Sequence, residues 1–132
     1  MEAVIYGGGV LGGMLVPHLV QCGYQVTIID TDPEFLESVQ LDSSVNTIWL
    51  QDSMMQDYLE DARVDIAELF IAISANDHAN LLEAQTAATI YNVQNVMCLV
   101  EDPQLQHLFS DQGIKIVGSS LLAIFQDIET NL

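Results

Sequence analysis

A doubly wound parallel α/β sheet is the fold this sequence predicts, and three observations predict it. Short β-branched runs alternate with segments of helical spacing along nearly the whole chain. The first strand-to-helix junction carries three consecutive glycines, Gly7-Gly8-Gly9. The chain has 132 residues, half of them apolar, which is the size and composition of one domain with one core. Residues 1–132 therefore read as a single α/β domain. Its six strand-like runs, joined by right-handed crossovers, predict the order 3-2-1-4-5-6 of a Rossmann-type sheet.

The strand Ala3–Tyr6 breaks at the glycines, and helical spacing resumes at Val10, Leu11, Met14, Leu15 and Leu19. Pro17 predicts a bend in this helix, since it removes one N–H bond and crowds the preceding turn. Gly23 predicts its end. Val26–Ile29, closed by Asp30, is the second strand. Asp32 before Pro33 and Glu34 reads as an N-cap with proline at the first helical position, opening a helix through Phe35, Leu36 and Val39. Val45–Leu50 reads as a strand, Ser53–Leu59 as a short helix, and Leu69–Ile73 as a strand apolar throughout, as expected of one covered on both faces. Asn76 or Asp77 caps a helix carrying Leu81, Leu82, Ala84, Ala88 and Tyr91. Val96–Val100 and Lys115–Val117 are the last strands, separated by a helix that starts at Pro103. Ser119 or Ser120 then caps a final helix with Leu121, Phe125, Ile128 and Leu132 on one face. That face packs on this domain, on a second subunit, or on a segment of a longer parent chain.

Charge excludes whole classes of partner. Nineteen Asp and Glu stand against Lys115 and Arg63, for a formal net charge of −17. Nucleic acid and anionic membrane surfaces are bound through clustered Lys and Arg, which this chain lacks. No apolar run approaches membrane-spanning length, and the N-terminus carries no basic leader, so the expectation is a cytoplasmic domain with no direct membrane insertion. Cys22 and Cys98 form no CxxC pair and read as buried, reduced thiols. His18, His78 and His107 are widely separated and show no metal-ligand spacing; His78 stands closest to the presumed cleft. Met54, Met55, Phe70, Tyr91 and Phe125 read as core or interface packing, and Trp49, on a strand at the sheet edge, is read as packing too.

Gly7-Gly8-Gly9-Val10-Leu11-Gly12 satisfies GxGxxG between a strand and a helix. Gly7 suits the tight turn, Gly9 lets the backbone approach a pyrophosphate, and Gly12 lets helix and strand pack closely. A phosphate there lies against the free N–H groups and positive dipole end of the helix, a device that needs no lysine. Asp30 ends the second strand about 20 residues further on, where a carboxylate accepts from both ribose hydroxyls and repels a 2′-phosphate. The alternative for Asp30 and Asp32 is capping of the next helix; ribose binding is preferred for Asp30 and capping for Asp32.

These pieces, in order, resemble the TrkA-N domain, also called RCK or KTN, that regulates Trk and Ktr potassium uptake systems and many potassium channels. The resemblance runs from Val4 to Val117. It rests on the glycine loop, Ile28-Ile29-Asp30-Thr31-Asp32-Pro33-Glu34, Asp52 after the third strand, Ala72-Ile73-Ser74 with Asn76-Asp77 and Asn80, Val100-Glu101-Asp102-Pro103, and Gly113. It implies a module that binds NAD(H) or AMP or another adenine nucleotide and signals occupancy to a membrane potassium transporter or channel subunit, as a homodimer or higher ring. Carried over, Gly7, Gly9 and Gly12 hold phosphate with the amides of Val10 and Leu11, and Asp30 and Thr31 hold the ribose edge. Asp52 and Ser53 lie beside the adenine, and Ser74, Ala75 and Asn76 border the phosphate side. Many members carry arginine where this chain has Val10 and Leu99, and glycine where it has Gln51. The two lost cations favour NAD(H) or AMP over ATP.

Two other classes compete with this regulatory reading. One is a minimal or fragmentary NAD-dependent oxidoreductase; no acid–base residue is evident for it at the nicotinamide end. The other is an assembly module with a degenerate nucleotide site. For assembly, Leu121, Leu122, Phe125 and Ile128 offer an apolar face, opposed at low salt by the net charge.

Overall fold

A computed structural model describes residues 1–40, 43–51, 55–109, 113–117 and 127–132. The strands are β1 (Glu2–Tyr6), β2 (Gln25–Asp30), β3 (Val45–Trp49), β4 (Leu69–Ala72), β5 (Asn95–Leu99) and β6 (Lys115–Val117). The helices are α1 (Gly9–Gln21), α2 (Pro33–Val39), α3 (Met55–Asp61), α4 (Asp77–Thr89) and α5 (Pro103–Phe109), with one 3-10 turn at Val64–Ile66. All five strand pairings are parallel, in the order β3-β2-β1-β4-β5-β6, as the sequence predicts.

The strand pleat sorts neighbouring residues onto two faces. Ala3, Ile5, Ile28, Leu69 and Ile71 pack under α1 and α2 with Leu11, Leu15, Leu19 and Leu36. Val4, Ile29, Phe70 and Ala72 pack on the other face with Leu59, Val64, Leu81, Ala84 and Ala87. Every residue of β4 is buried, which explains its unbroken apolar sequence. Phe70 is fully buried, worth about 2–3 kcal/mol against leaving the ring in water.

Local signals set the helix ends. At the end of α1 the amide of Gly23 donates to the carbonyl of Val20 at 3.0 Å and that of Tyr24 to Leu19 at 3.1 Å, a Schellman closure. Asp32 caps α2 by accepting the Glu34 amide at 3.0 Å. Asn76 caps α4 by accepting the Ala79 amide at 3.0 Å. Pro17 lies within α1, which runs on to Gln21. Both Pro17 and Gly13, four residues before it, are exposed, so the carbonyl that proline leaves without a helical donor is open to water.

Two expectations are corrected, and one that was left open is narrowed. Cys22 is exposed, because it occupies the C-cap of α1, while Cys98 is buried. Trp49 is 52% exposed rather than packed, since the pleat turns its neighbour Ile48 inward. Ile128 is not available to a second subunit: it is fully buried in the core under α1. Its segment is tied down further by His18 Nε2 at 3.5 Å from Glu129 Oε2 and by Asn95 Nδ2 donating to the Asn131 carbonyl at 3.0 Å. Ser119, Ser120, Leu121, Leu122 and Phe125 lie outside the described residues, as does Met54.

Candidate functional site

Strand order reverses between β1 and β4, and the carboxyl ends of the strands open a crevice at that point. A cleft of about 500 Å³ occupies it. Gly7 to Leu11 form its floor, Asp30 to Asp32 and Phe35 one wall, and Ile73 to Ala75 with Leu99 and Glu101 the other.

The floor has this shape because two glycines permit it. Gly7 has φ +79°, and a Cβ there would lie 2.6 Å from the Ser74 Cα, so only glycine lets the β1 turn pass against the β4 turn. A Cβ on Gly12 would meet the Phe35 ring at 3.1 Å and the Ile28 side chain at 3.4 Å. The N-terminus of α1 thus stands close to β2, with its first-turn amides at the floor of the cleft.

One wall is set by the turn after β2. The Asp30 carboxylate accepts the Asp32 amide at 3.1 Å, and the Asp30 carbonyl accepts the Leu50 amide at 2.8 Å. Trp49 donates its indole N–H to the Thr31 carbonyl at 3.2 Å, so β3 holds the turn from outside.

The opposite wall is organised by the first turns of α4. Asn80 is fully buried. Its Oδ1 accepts the Ser74 amide at 2.9 Å and the Ser74 hydroxyl at 2.6 Å. Its Nδ2 donates to the carbonyls of Ser74 at 2.9 Å and Leu99 at 3.0 Å. One amide side chain thus satisfies all four of its hydrogen-bonding positions while joining the ends of β4 and β5. Asp77 accepts the amides of Glu101 at 3.0 Å and Asp102 at 2.9 Å, which fixes the turn after β5.

Eight of the twelve residues singled out from sequence line this cleft: Gly7, Gly9, Val10, Leu11, Asp30, Thr31, Ser74 and Ala75. Gly12 and Asn76 do not. Gly12 is buried against β2 and α2, and the Asn76 side chain is engaged as the α4 cap. Asp52 and Ser53 lie outside the described residues. Sequence alone reads Phe35 only as part of a helix, Leu99 as the place of a lost cation, and Glu101 and Asn80 only as pieces of the family resemblance; the tie that Asn80 makes between Ser74 and Leu99 carries no sequence signal. Glu101 was findable, because it follows the β5 strand by two residues, at the strand end where such sheets open. Asp32, read as a cap, both caps α2 and lines the cleft.

The electrostatics of the cleft are one-signed. Asp30, Asp32 and Glu101 line it, and neither basic side chain of the chain does. Arg63 pairs with Glu2 at 4.0 Å, at the start of β1 and the far end of the sheet. Lys115 opens β6 at the sheet edge, in register with Met97. Against the carboxylates stands the helix N-terminus, equivalent to about half a positive charge. Beneath the cleft, Tyr6 ends β1, and its phenol is raised by burial, by Glu83 and by Asp30. Glu83 is 2% exposed, accepts the Tyr58 hydroxyl on Oε1, and has no partner at Oε2 among the described residues. Burial holds its carboxyl above the ordinary carboxylate range, with the Tyr58 bond opposing. Among the described residues no three His, Cys, Asp or Glu side chains are grouped to hold a metal ion, and no helix is long and apolar enough to cross a membrane.

A glycine loop, a helix N-terminus and a strand-end carboxylate around one switch-point crevice define a Rossmann-type α/β domain. Residues 3–120 match the model of the TrkA-N domain, and the chain belongs to that family. It is 32% identical over 120 residues to the Trk system potassium uptake protein TrkA of Streptomyces coelicolor, covering 90% of this chain and 53% of that protein. It is 29% identical over 119 residues to a Trk system potassium uptake protein TrkA homolog of Methanothermobacter thermautotrophicus, covering 90% and 54%. The chain spans about half the length of these curated relatives. Among solved structures, the TrkA-N domain of inner membrane protein ybaL from Escherichia coli superposes with a TM-score of 0.77 at 14% identity, over 99% of this chain and 96% of that one. The Kef CTD of Shewanella denitrificans in AMP-bound form gives 0.71 at 20%, over 88% and 71%. At these identities the two structures speak to the fold alone.

Proposed function

We propose that this domain binds NAD(H) or an adenine nucleotide such as AMP in the switch-point cleft, and through it regulates a membrane potassium transporter or channel subunit from the cytoplasmic side. The observation that carries the reading is the joint presence, in one cleft of a TrkA-N chain, of the glycine floor at the α1 N-terminus and Asp30 at the end of β2. A pyrophosphate or phosphate would lie on the amides of the first turn of α1, and the Asp30 carboxylate would take the ribose hydroxyls. Phe35 and Thr31 would border the adenosine half. The relatives named for potassium uptake support the transport role, and the AMP in the Kef structure supports an adenine nucleotide as ligand. The role is regulatory rather than catalytic: binding energy shifts a conformational equilibrium by its difference between two states of the domain.

Calorimetric titration with NAD+, NADH, AMP, ADP and ATP tests this reading, with Asp30→Ala as control. Binding of at least one dinucleotide or AMP, weakened by about tenfold in Asp30→Ala, is the expected result. No heat with any of the five, under conditions where the chain is folded, would leave the assembly reading in its place. Steady turnover of NADH with a supplied acceptor would restore the oxidoreductase reading.

A further inference from the structure

We infer that the outer edge of β3 is a docking strand for an extended, basic segment of the membrane partner, which joins the sheet beside Thr47 and Trp49. The inference rests on the regulatory reading above for the existence of that partner, and adds to it a surface and a chemistry.

β3 is the outermost strand of the sheet, paired on one side only, with β2. The Val26 amide donates to the Ser44 carbonyl at 2.9 Å and the Leu50 amide to the Asp30 carbonyl at 2.8 Å. These two bonds fix the parity between them: Asn46 and Ile48 turn their N–H and C=O toward β2, and Val45, Thr47 and Trp49 turn theirs outward. Among the described residues no hydrogen bond reaches the outward groups of Thr47 or Trp49. The two residues repeat at about 7 Å, the interval at which a neighbouring strand presents its own groups. Exposed edges are ordinarily blunted by lysine, proline, a bulge or a covering element. The opposite edge shows this, since β6 is short and opens with exposed Lys115. Val45–Trp49 holds neither a charge nor a proline and keeps regular register with β2 from end to end.

Charge decides which chain can pair there. α2 packs against β3 and presents Glu34 and Glu37 to solvent, and Asp30 is in register with Trp49. Arg63 is held by Glu2 at the start of β1, and Lys115 lies on the far edge, so neither cation of the chain offsets these carboxylates. A second copy, with formal charge −17, would bring the same carboxylates together. A basic segment is attracted instead, and the cytoplasmic loops of membrane proteins carry an excess of Lys and Arg. Trp49 adds a seat for one such side chain. Its indole N–H is fixed on the Thr31 carbonyl at 3.2 Å while the residue stays 52% exposed, which leaves ring surface on which a guanidinium or ammonium can lie. Main-chain bonds then give affinity, and alternate side chains of the added strand give specificity.

The probe is a short synthetic peptide of alternating lysine and valine with blocked ends. It is titrated into the wild-type chain and Thr47→Pro by calorimetry, and amide hydrogen exchange is followed in the wild type. Control peptides replace every lysine by glutamate or every valine by proline; the second keeps the charge and cannot pair as a strand. The lysine-valine peptide is expected to bind at least about tenfold more tightly than either control, and to slow exchange of the Thr47 and Trp49 amides by about tenfold at saturation. Thr47→Pro removes an outward N–H and no bond to β2, so peptide affinity falls by about tenfold while AMP and NAD+ bind as before. The exchange readout needs no variant and holds however Thr47→Pro folds. Equal binding of the lysine-proline peptide reduces the attraction to diffuse charge and overturns the inference. So does protection of both amides in the chain alone, in a monomer that covers its own edge or in a sedimenting dimer whose second copy does. Heat with AMP or NAD+ and none with the lysine-valine peptide overturns this inference and leaves the nucleotide reading standing. Protection by that peptide with no heat from any nucleotide overturns the nucleotide reading and leaves the docking edge.

Discussion

Asp77 and Glu101, 24 residues apart, are joined by a 3.0 Å hydrogen bond from the Glu101 amide to Asp77 Oδ1. The first turn of α4 therefore sets the position of the loop that follows β5. Asp77→Ala removes the acceptor for this amide and for that of Asp102. Both groups can turn to water, so a modest loss of stability, about 1 kcal/mol, is expected in urea denaturation. A second effect is expected on ligand binding, with nucleotide affinity falling by about fivefold in calorimetry as the cleft wall that carries Glu101 loses its anchor. A variant that keeps the wild-type affinity would show that the clasp has no part in it.

Gly7 and Gly9 separate folding from binding. Gly7→Ala drives a Cβ into the Ser74 backbone at a positive φ, and a loss of about 3 kcal/mol is expected. Gly9 has φ +51° with nothing within 4 Å of an added Cβ. Gly9→Ala should cost about 1 kcal/mol from backbone conformation alone. The new methyl stands in the cleft floor, so nucleotide affinity should drop by about tenfold or more in the Gly9 variant. Equal losses of stability in the two variants would contradict the geometry.

Glu83 should give the fold a pH slope. Its folded carboxyl holds a proton more tightly than in the unfolded chain. Its contribution is therefore present below the unfolded carboxylate range and is lost as pH rises through the raised folded value. Glu83→Gln keeps an acceptor for Tyr58 and cannot ionise. The variant should gain on the wild type as pH rises from 4 to 8. A difference in urea midpoint that stays constant across this range would rule out a titrating Glu83.

The two thiols should react at different rates. Burial, with Asp77 adding to it, pushes the Cys98 thiol up to about 12, whereas Cys22 is exposed at a helix end. A thiol reagent at pH 8 should label Cys22 at once and Cys98 only on unfolding. Cys22→Ser should abolish the fast phase, and fast labelling that survives this change would place Cys98 nearer solvent than its burial allows.

The sheet order was legible because short β-branched runs alternate with helical spacing, and because three glycines mark the first crossover. Asp30 was legible from its distance beyond those glycines. The bridging role of Asn80 was not, because a polar residue within a helix carries no periodic mark, and its partners Ser74 and Leu99 lie six and nineteen residues away. Trp49 was misjudged for a related reason: composition suggests packing for any indole, while the parity of an edge strand decided its side. The unpartnered oxygen of Glu83 also escapes the sequence, since helical spacing alone does not say that this carboxylate faces the sheet.

The placement of Arg63 and Lys115 away from the cleft has a kinetic consequence. Most anion-binding proteins draw ligand in by a local positive field, and salt slows them. Here a phosphate approaching the strand ends meets a repulsive field and gains only at contact range, where the first amides of α1 act. Added electrolyte shortens the reach of that field to about 8–10 Å near physiological strength. Encounter should therefore quicken as ionic strength rises, making the cleft more accessible to its ligand in a concentrated salt solution than in a dilute one.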